Sequence, residues 1–231
     1  MTAPFLVLDF YTGDSLGVEN TCALLAPQAV ELLRATRDEM PAKATDFAGI
    51  VLSGSTASVA AAPAWLEPAG EFLRTAIERD VPVLGLCFGH QLLAEVACGR
   101  GTVVPASRPE VGWHEIAVGH AEQLLNGLGA TCPAFLCHFD EVRPDTAGIQ
   151  ILARTPVSPV GALRVLGRRA FGVQFHPEMT VADARAAAAS VELESGAQAT
   201  GAGGPNGGDA GGREVGRVIF DNFVSLALTG E

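Results

Sequence analysis

The sequence predicts an α/β fold: an open, mostly parallel central sheet covered by helices on both faces, with a small antiparallel addition. Three observations predict it. Short, nearly all-apolar runs recur at Phe5 to Phe10, Gly49 to Leu52, Val81 to Leu86 and Ala170 to Phe175, the pattern of strands buried on both faces. Helix-compatible stretches alternate with them. Finally, 231 residues with 48% apolar composition suffice for a sizeable core, which excludes disorder, collagen and coiled coil.

The elements follow in order. Phe5 to Phe10 is a strand, with turn residues Thr12, Gly13 and Asp14 behind it. Val18 to Ala26 is helical and Val30 to Thr36 is a second strand. Gly49 to Leu52 is a buried strand closed by Ser53-Gly54-Ser55. Trp65 to Arg79 has helical spacing, with Trp65, Leu66, Ala69, Phe72, Leu73, Ala76 and Ile77 on one face. The next strand, Val81 to Leu86, carries Pro82 at its start, where a missing N–H is tolerated. Gln91 to Cys98 is helical.

From Thr102 to Arg169 the pattern changes. Short extended pieces at Glu115 to Val118, Ala134 to Cys137, Ile149 to Ala153 and Val160 to Val165 form the antiparallel addition. A last strand, Ala170 to Phe175, leads into His176-Pro177-Glu178, and residues 181 to 194 are alanine-rich and helix-compatible. Ser195 to Gly212 holds eight glycines in eighteen residues and reads as a flexible insertion. Arg213 to Leu228 resumes as a helix with Val215, Val218, Ile219, Asn222 and Leu226 on one stripe. The expected organisation is one domain over residues 1–231 interrupted by that late insertion.

Charge narrows the function. Fifteen basic against 26 acidic side chains give a net charge of −11, which repels phosphate backbones and argues against nucleic acid or an anionic membrane as partner. No run approaches the ~20 apolar residues of a membrane span, and MTAPFLVLDF lacks a basic leader. Five cysteines, an odd number in a chain this long, point to a reduced, cytoplasmic setting.

The chemistry concentrates in Gly85-Leu86-Cys87-Phe88-Gly89-His90-Gln91. A cysteine between glycines, directly after a buried strand and before a helix, fits a nucleophile elbow: the tight turn strains the nucleophile, and the glycines remove clashing side chains. A helix N-terminus favours the Cys87 thiolate, and the Phe88 amide points toward an oxyanion beside the sulfur. A thiolate needs a base, and the base an orienter. His176-Pro177-Glu178 supplies both, because a residue before proline is extended and positions i and i+2 share a side. His90 reads as a partly buried helix residue, His114 and His120 as solvated, and His138 as a loop residue near substrate. Cys132, Cys137 and His138 lack a second ligand pair at zinc spacing, so neither metal nor cofactor is expected. Cys22 and Cys98 read as small core residues.

These motifs resemble the class I glutamine amidotransferases, specifically their GMP-synthase-like glutaminases. The resemblance rests on Gly85 to Gln91 as nucleophile motif, Gly172 to Glu178 as the His-Pro-Glu motif, and Ile50 to Ser55 as the strand and turn of the second oxyanion amide. His138 to Val142 and Glu110 to Trp113 are similar to segments of the same subgroup. It implies a flavodoxin-like sheet and a Cys87, His176, Glu178 triad. Cys87 would attack the side-chain amide of glutamine, His176 would protonate the departing ammonia, and Glu178 would orient His176. Gly54 and Phe88 would hold the oxyanion. Gln91, Ser55, Cys137, His138 and Phe139 would bind substrate. The sequence departs from the family at Ser53-Gly54-Ser55-Thr56, where Gly-Gly-Pro or Gly-Ser-Pro is commoner, and at Cys137, where serine is frequent.

The chain contains neither a Gly-x-x-x-x-Gly-Lys-Ser/Thr phosphate loop nor a Ser-Gly-Gly-x-Asp-Ser loop. The ammonia is therefore expected to pass to a partner synthetase, or hydrolysis is the whole activity. Two alternatives stand beside this: a γ-glutamyl peptide hydrolase using the same triad, and a catalytically idle binding or regulatory protein.

Overall fold

The computed structural model describes residues 3–120, 123–195 and 209–229. Residues 196–208, most of the expected glycine-rich insertion, lie outside the described residues. Nine strands form one sheet in the order β2-β1-β3-β4-β9-β8-β7-β5-β6. β1 (Phe5–Asp9), β2 (Val30–Arg34), β3 (Gly49–Leu52), β4 (Val83–Leu86) and β9 (Ala170–Val173) pair in parallel. β5 (Val103–Val118), β6 (Thr131–Val142), β7 (Ile149–Arg154) and β8 (Ala162–Val165) continue it in antiparallel fashion.

The sheet is thus mixed, which corrects the expectation of a mostly parallel sheet with a small antiparallel addition. Four pairings are parallel and four antiparallel, and the two longest strands, β5 with 16 residues and β6 with 12, belong to the antiparallel half. The reason is local composition. β5 contains Pro105, Arg108, Pro109 and Gly112, residues that interrupt an apolar pattern. The ladder absorbs the interruption with a register shift between Pro105 and Glu110.

The parallel half reads as expected because its inner strands are buried on both faces. Alternate residues of one strand enter different cores. Leu6, Leu8, Ile50, Leu52 and Val83 pack with Phe72 and Leu73 of α2 (Glu67–Glu78) and Leu92 and Leu93 of α3 (Phe88–Cys98). Phe5, Val7, Val51, Leu84 and Leu86 face the other way, toward α1 (Val18–Leu24) and α5 (Asp209–Thr229), where Ile219, Phe220 and Phe223 are fully buried. α4 (Val181–Ser195) lies over a smaller cluster of Trp113, Phe135 and Met179. α5 begins at Asp209, four residues earlier than expected. Gly211 and Gly212 there sit against Pro133 and Trp113, so tertiary contact carries the helix through residues of poor helix propensity.

The carboxyl ends of β1, β3, β4 and β9 open on one edge. With the order 2-1-3-4, strand direction from β1 switches between β2 and β3, and clefts of open α/β sheets form outside such ends.

Candidate active site

Cys87 follows β4 and caps α3 with φ 49° and ψ −99°, a left-handed backbone that a side chain rarely adopts. Its N–H donates to the Val173 carbonyl (2.9 Å) and its carbonyl accepts from the Gln91 N–H (3.1 Å). The strained turn is thereby clamped to β9 on one side and to α3 on the other. The close approach needs the flanking glycines: a Cβ on Gly85 would enter the Gly89 carbonyl, and one on Gly89 would enter Leu52. Phe88 opens α3, so its N–H has no intrahelical partner.

His176 and Glu178 follow β9. The His176 N–H donates to the Phe135 carbonyl at 2.8 Å, tying this segment to β6. The ring Nδ1 lies 2.7 Å from Glu178 Oε1, with both side chains almost wholly buried. Burial disfavours a charged imidazole, but the Glu178 carboxylate and the Cys87 sulfur outweigh it and push the His176 pKa up to about 10. The pair favours an imidazolium facing the sulfur. Gly54 packs beneath it: a Cβ there would come within 2.8 Å of His176 Cε1. Gly17 backs Glu178 in the same way, at 2.9 Å from Cγ.

A cavity of about 400 Å³ opens here, within the range of small-molecule sites. Cys87, Phe88, His176, Gln91, Ser55, Cys137, His138 and Phe139 all line it, whereas Gly54 and Glu178 stand behind the lining. The Ser55 hydroxyl is committed to backbone, donating to the Phe10 carbonyl (2.8 Å) and accepting from the Ala57 N–H (3.0 Å). The Cys137 carbonyl lies 3.5 Å from Cys87 Sγ. The His138 ring is turned to Glu110 Oε2 (3.1 Å) and the Asp140 carbonyl (3.0 Å), so only its backbone side is offered to a ligand. Phe139 is exposed at the mouth.

His90, expected to be partly buried, is wholly buried beneath Gly172, and burial lowers its pKa to about 3, so it is neutral.

Three further residues gather at the sulfur or behind it whose roles the sequence does not reveal, although Gln174 and Glu110 lie inside the motifs quoted above. Tyr11, just past β1, lines the cavity; burial together with the Glu178 and Cys87 charges pushes its phenol well above the usual range. Gln174 places its amide nitrogen 3.6 Å from Cys87 Sγ. Glu110 holds His138 from below. Gln174 leaves a signal, being one polar residue in the apolar run Ala170 to Phe175; Tyr11 and Glu110 leave none of that kind.

Comparison with known proteins places the chain in a family. The sequence model of the family described as "Glutamine amidotransferase class-I" matches residues 6–192. The glutamine-hydrolyzing GMP synthase of Aeropyrum pernix is 42% identical over 132 residues, 57% of this chain and 24% of that protein. A protein of Sulfurisphaera tokodaii, named as one subunit of a glutamine-hydrolyzing GMP synthase, is 34% identical over 134 residues, 58% of this chain and 69% of that one. The match to the Aeropyrum relative thus spans about a quarter of its length. Among solved structures, a glutamine amido transferase from Methylobacillus flagellatus superposes with a TM-score of 0.81 at 22% identity, covering 97% of this chain and 95% of that one. Among the described residues, no helix is long and apolar enough to cross a membrane.

Proposed function

We propose that this chain, which belongs to the class-I glutamine amidotransferase family, releases ammonia from glutamine with Cys87 as nucleophile, His176 as general acid and base, and Glu178 as its orienter. One observation carries the assignment: a sulfur on a strained strand-to-helix turn shares a cavity with an imidazole whose far nitrogen is bound to a carboxylate at 2.7 Å.

The chemistry follows from that arrangement. The Cys87 thiolate attacks the side-chain amide carbon of glutamine, and the carbonyl oxygen becomes an oxyanion facing the amide of Phe88, with the Ser53-Gly54-Ser55 turn supplying the second amide. The His176 imidazolium donates its proton to the departing nitrogen, which leaves as ammonia, and a glutamyl thioester remains. The imidazole, now neutral, takes a proton from water as the water attacks the thioester. Glutamate and the Cys87 thiolate are released, and His176 is charged again. Glu178 holds the ring orientation and stabilises its charged form. Gln91 and the backbone of Cys137, His138 and Phe139 take the α-groups of glutamine. Ser55 acts through its backbone, since its hydroxyl is already bonded.

We read residues 1–231 as a single amidotransferase domain, supported by one continuous sheet. Its ammonia goes to a partner synthetase; the Sulfurisphaera relative, named as a subunit of GMP synthase, supports this. The free thiols of all five cysteines support a cytoplasmic setting.

A chloroketone analogue of glutamine tests the nucleophile. It is expected to label the protein once, at Cys87, with glutamine protecting and Cys87→Ala unlabelled. Labelling of Cys87→Ala at the same rate would sink the assignment.

A further inference from the structure

The mechanism above gives Gln174 no part, yet its side chain is wholly buried and its amide reaches the sulfur. The side chains that lead to it form a chain of hydrogen bonds whose direction is forced. The Asp140 carbonyl oxygen can only accept, so Gln91 must turn its amide nitrogen toward it, at 2.8 Å. The same nitrogen lies 3.2 Å from Gln174, which must therefore present its oxygen. The Gln174 nitrogen is left facing Cys87 Sγ at 3.6 Å, as a donor.

The head of this chain is pinned. The Asp140 carbonyl also faces Nδ1 of His138, whose Nε2 faces the Glu110 carboxylate. Glu110 in turn accepts from the Thr155 hydroxyl and from the N–H groups of Val157 and Ser158. A buried carboxylate with this many donors does not rotate freely, and the order is passed along to the cavity wall.

We propose that Gln174 is a catalytic residue of this site: its side-chain amide, oriented from the Asp140 carbonyl through Gln91, donates a hydrogen bond to the Cys87 sulfur and stabilises the thiolate. A donor to the charged form of a group favours that form. The other ionisable groups facing the sulfur are Tyr11 from the end of β1, Cys137 from β6, and His176 with Glu178 after β9. Burial keeps Tyr11 and Cys137 neutral, pushing the Cys137 thiol up to about 12. Gln174 thus acts beside the imidazolium as a second, uncharged source of thiolate stabilisation.

The inference rests on Cys87 being the nucleophile, and the test separates the two. The rate of Cys87 alkylation by iodoacetamide is measured at one fixed pH, with Cys87→Ala as the blank for the other four thiols. Gln174→Met, which keeps the volume and removes the donor, is expected to slow alkylation about tenfold. Gln174→Glu, which sets a carboxylate against the thiolate, should slow it further. Should Gln174→Met fail to fold, Gln91→Met breaks the chain one link earlier and is likewise expected to slow alkylation. Wild-type rates in any folded variant of Gln174, or in Gln91→Met, overturn the proposal. Absence of Cys87 alkylation in the wild type overturns the nucleophile reading instead.

Discussion

Replacing His176 by asparagine is expected to lower glutamine turnover roughly 10²–10⁴-fold, the range for loss of a positioned general acid and base. Asparagine removes both the proton donor for the leaving ammonia and the acceptor for the attacking water. Glu178→Gln is expected to cost less, because the amide oxygen can still accept from Nδ1 while failing to stabilise the imidazolium. Its signature is a pH effect. Burial lowers the His176 pKa and the Glu178 carboxylate raises it, to about 10 in balance with the sulfur. Without the carboxylate, burial wins, and the ring loses its proton at lower pH. The alkaline limb of the pH–rate profile should therefore move to lower pH in Glu178→Gln. An equal loss in both variants, with no movement of that limb, would contradict this division of roles.

Gly89→Ala is expected to destabilise the protein by about 1–3 kcal/mol or more, the usual cost of overpacking a close contact. The new methyl would be driven into the Leu52 backbone, and neither β3 nor α3 can retreat, because Leu52 and Phe88 belong to one core. For a chain of this size, each kcal/mol corresponds to about 2–4 °C of Tm. Gly13→Ala is the control: a Cβ there meets nothing within 4 Å. Thermal melts should show a loss of several degrees for Gly89→Ala and almost none for Gly13→Ala. Equal Tm values would mean that the close packing of the elbow on β3 is not what requires the glycine.

The legible part of the fold is the part whose physics is local. β1, β3, β4 and β9 are buried on both faces and announce themselves as apolar runs. The elbow shows itself because only glycine tolerates the approach of α3 to β3 and β4. His176 and Glu178 show themselves because two residues of an extended chain share a side. The antiparallel half obeys a different rule. One strand there mixes Pro105, Arg108 and Pro109 with the buried Val111 and Trp113, and the partner ladder in β6, not the sequence of β5 alone, makes it a strand. Buried polar residues are the hardest to read. Glu110 is satisfied through Val157, 47 positions away, and Gln174 through Gln91, 83 positions away. No short window contains both ends of either bond. The start of α5 is hidden for a similar reason, since Gly211 and Gly212 are poor helix formers held by contacts to β5 and β6.

Whether Cys87 turns over the side-chain amide of glutamine is tested most directly by its products. Ammonia and glutamate are to be measured together from glutamine, with wild type and Cys87→Ala, in the presence and absence of candidate synthetases. Equal amounts of the two products are expected from the wild type, and none above the blank from Cys87→Ala. Equal release by the two proteins would contradict a Cys87 nucleophile.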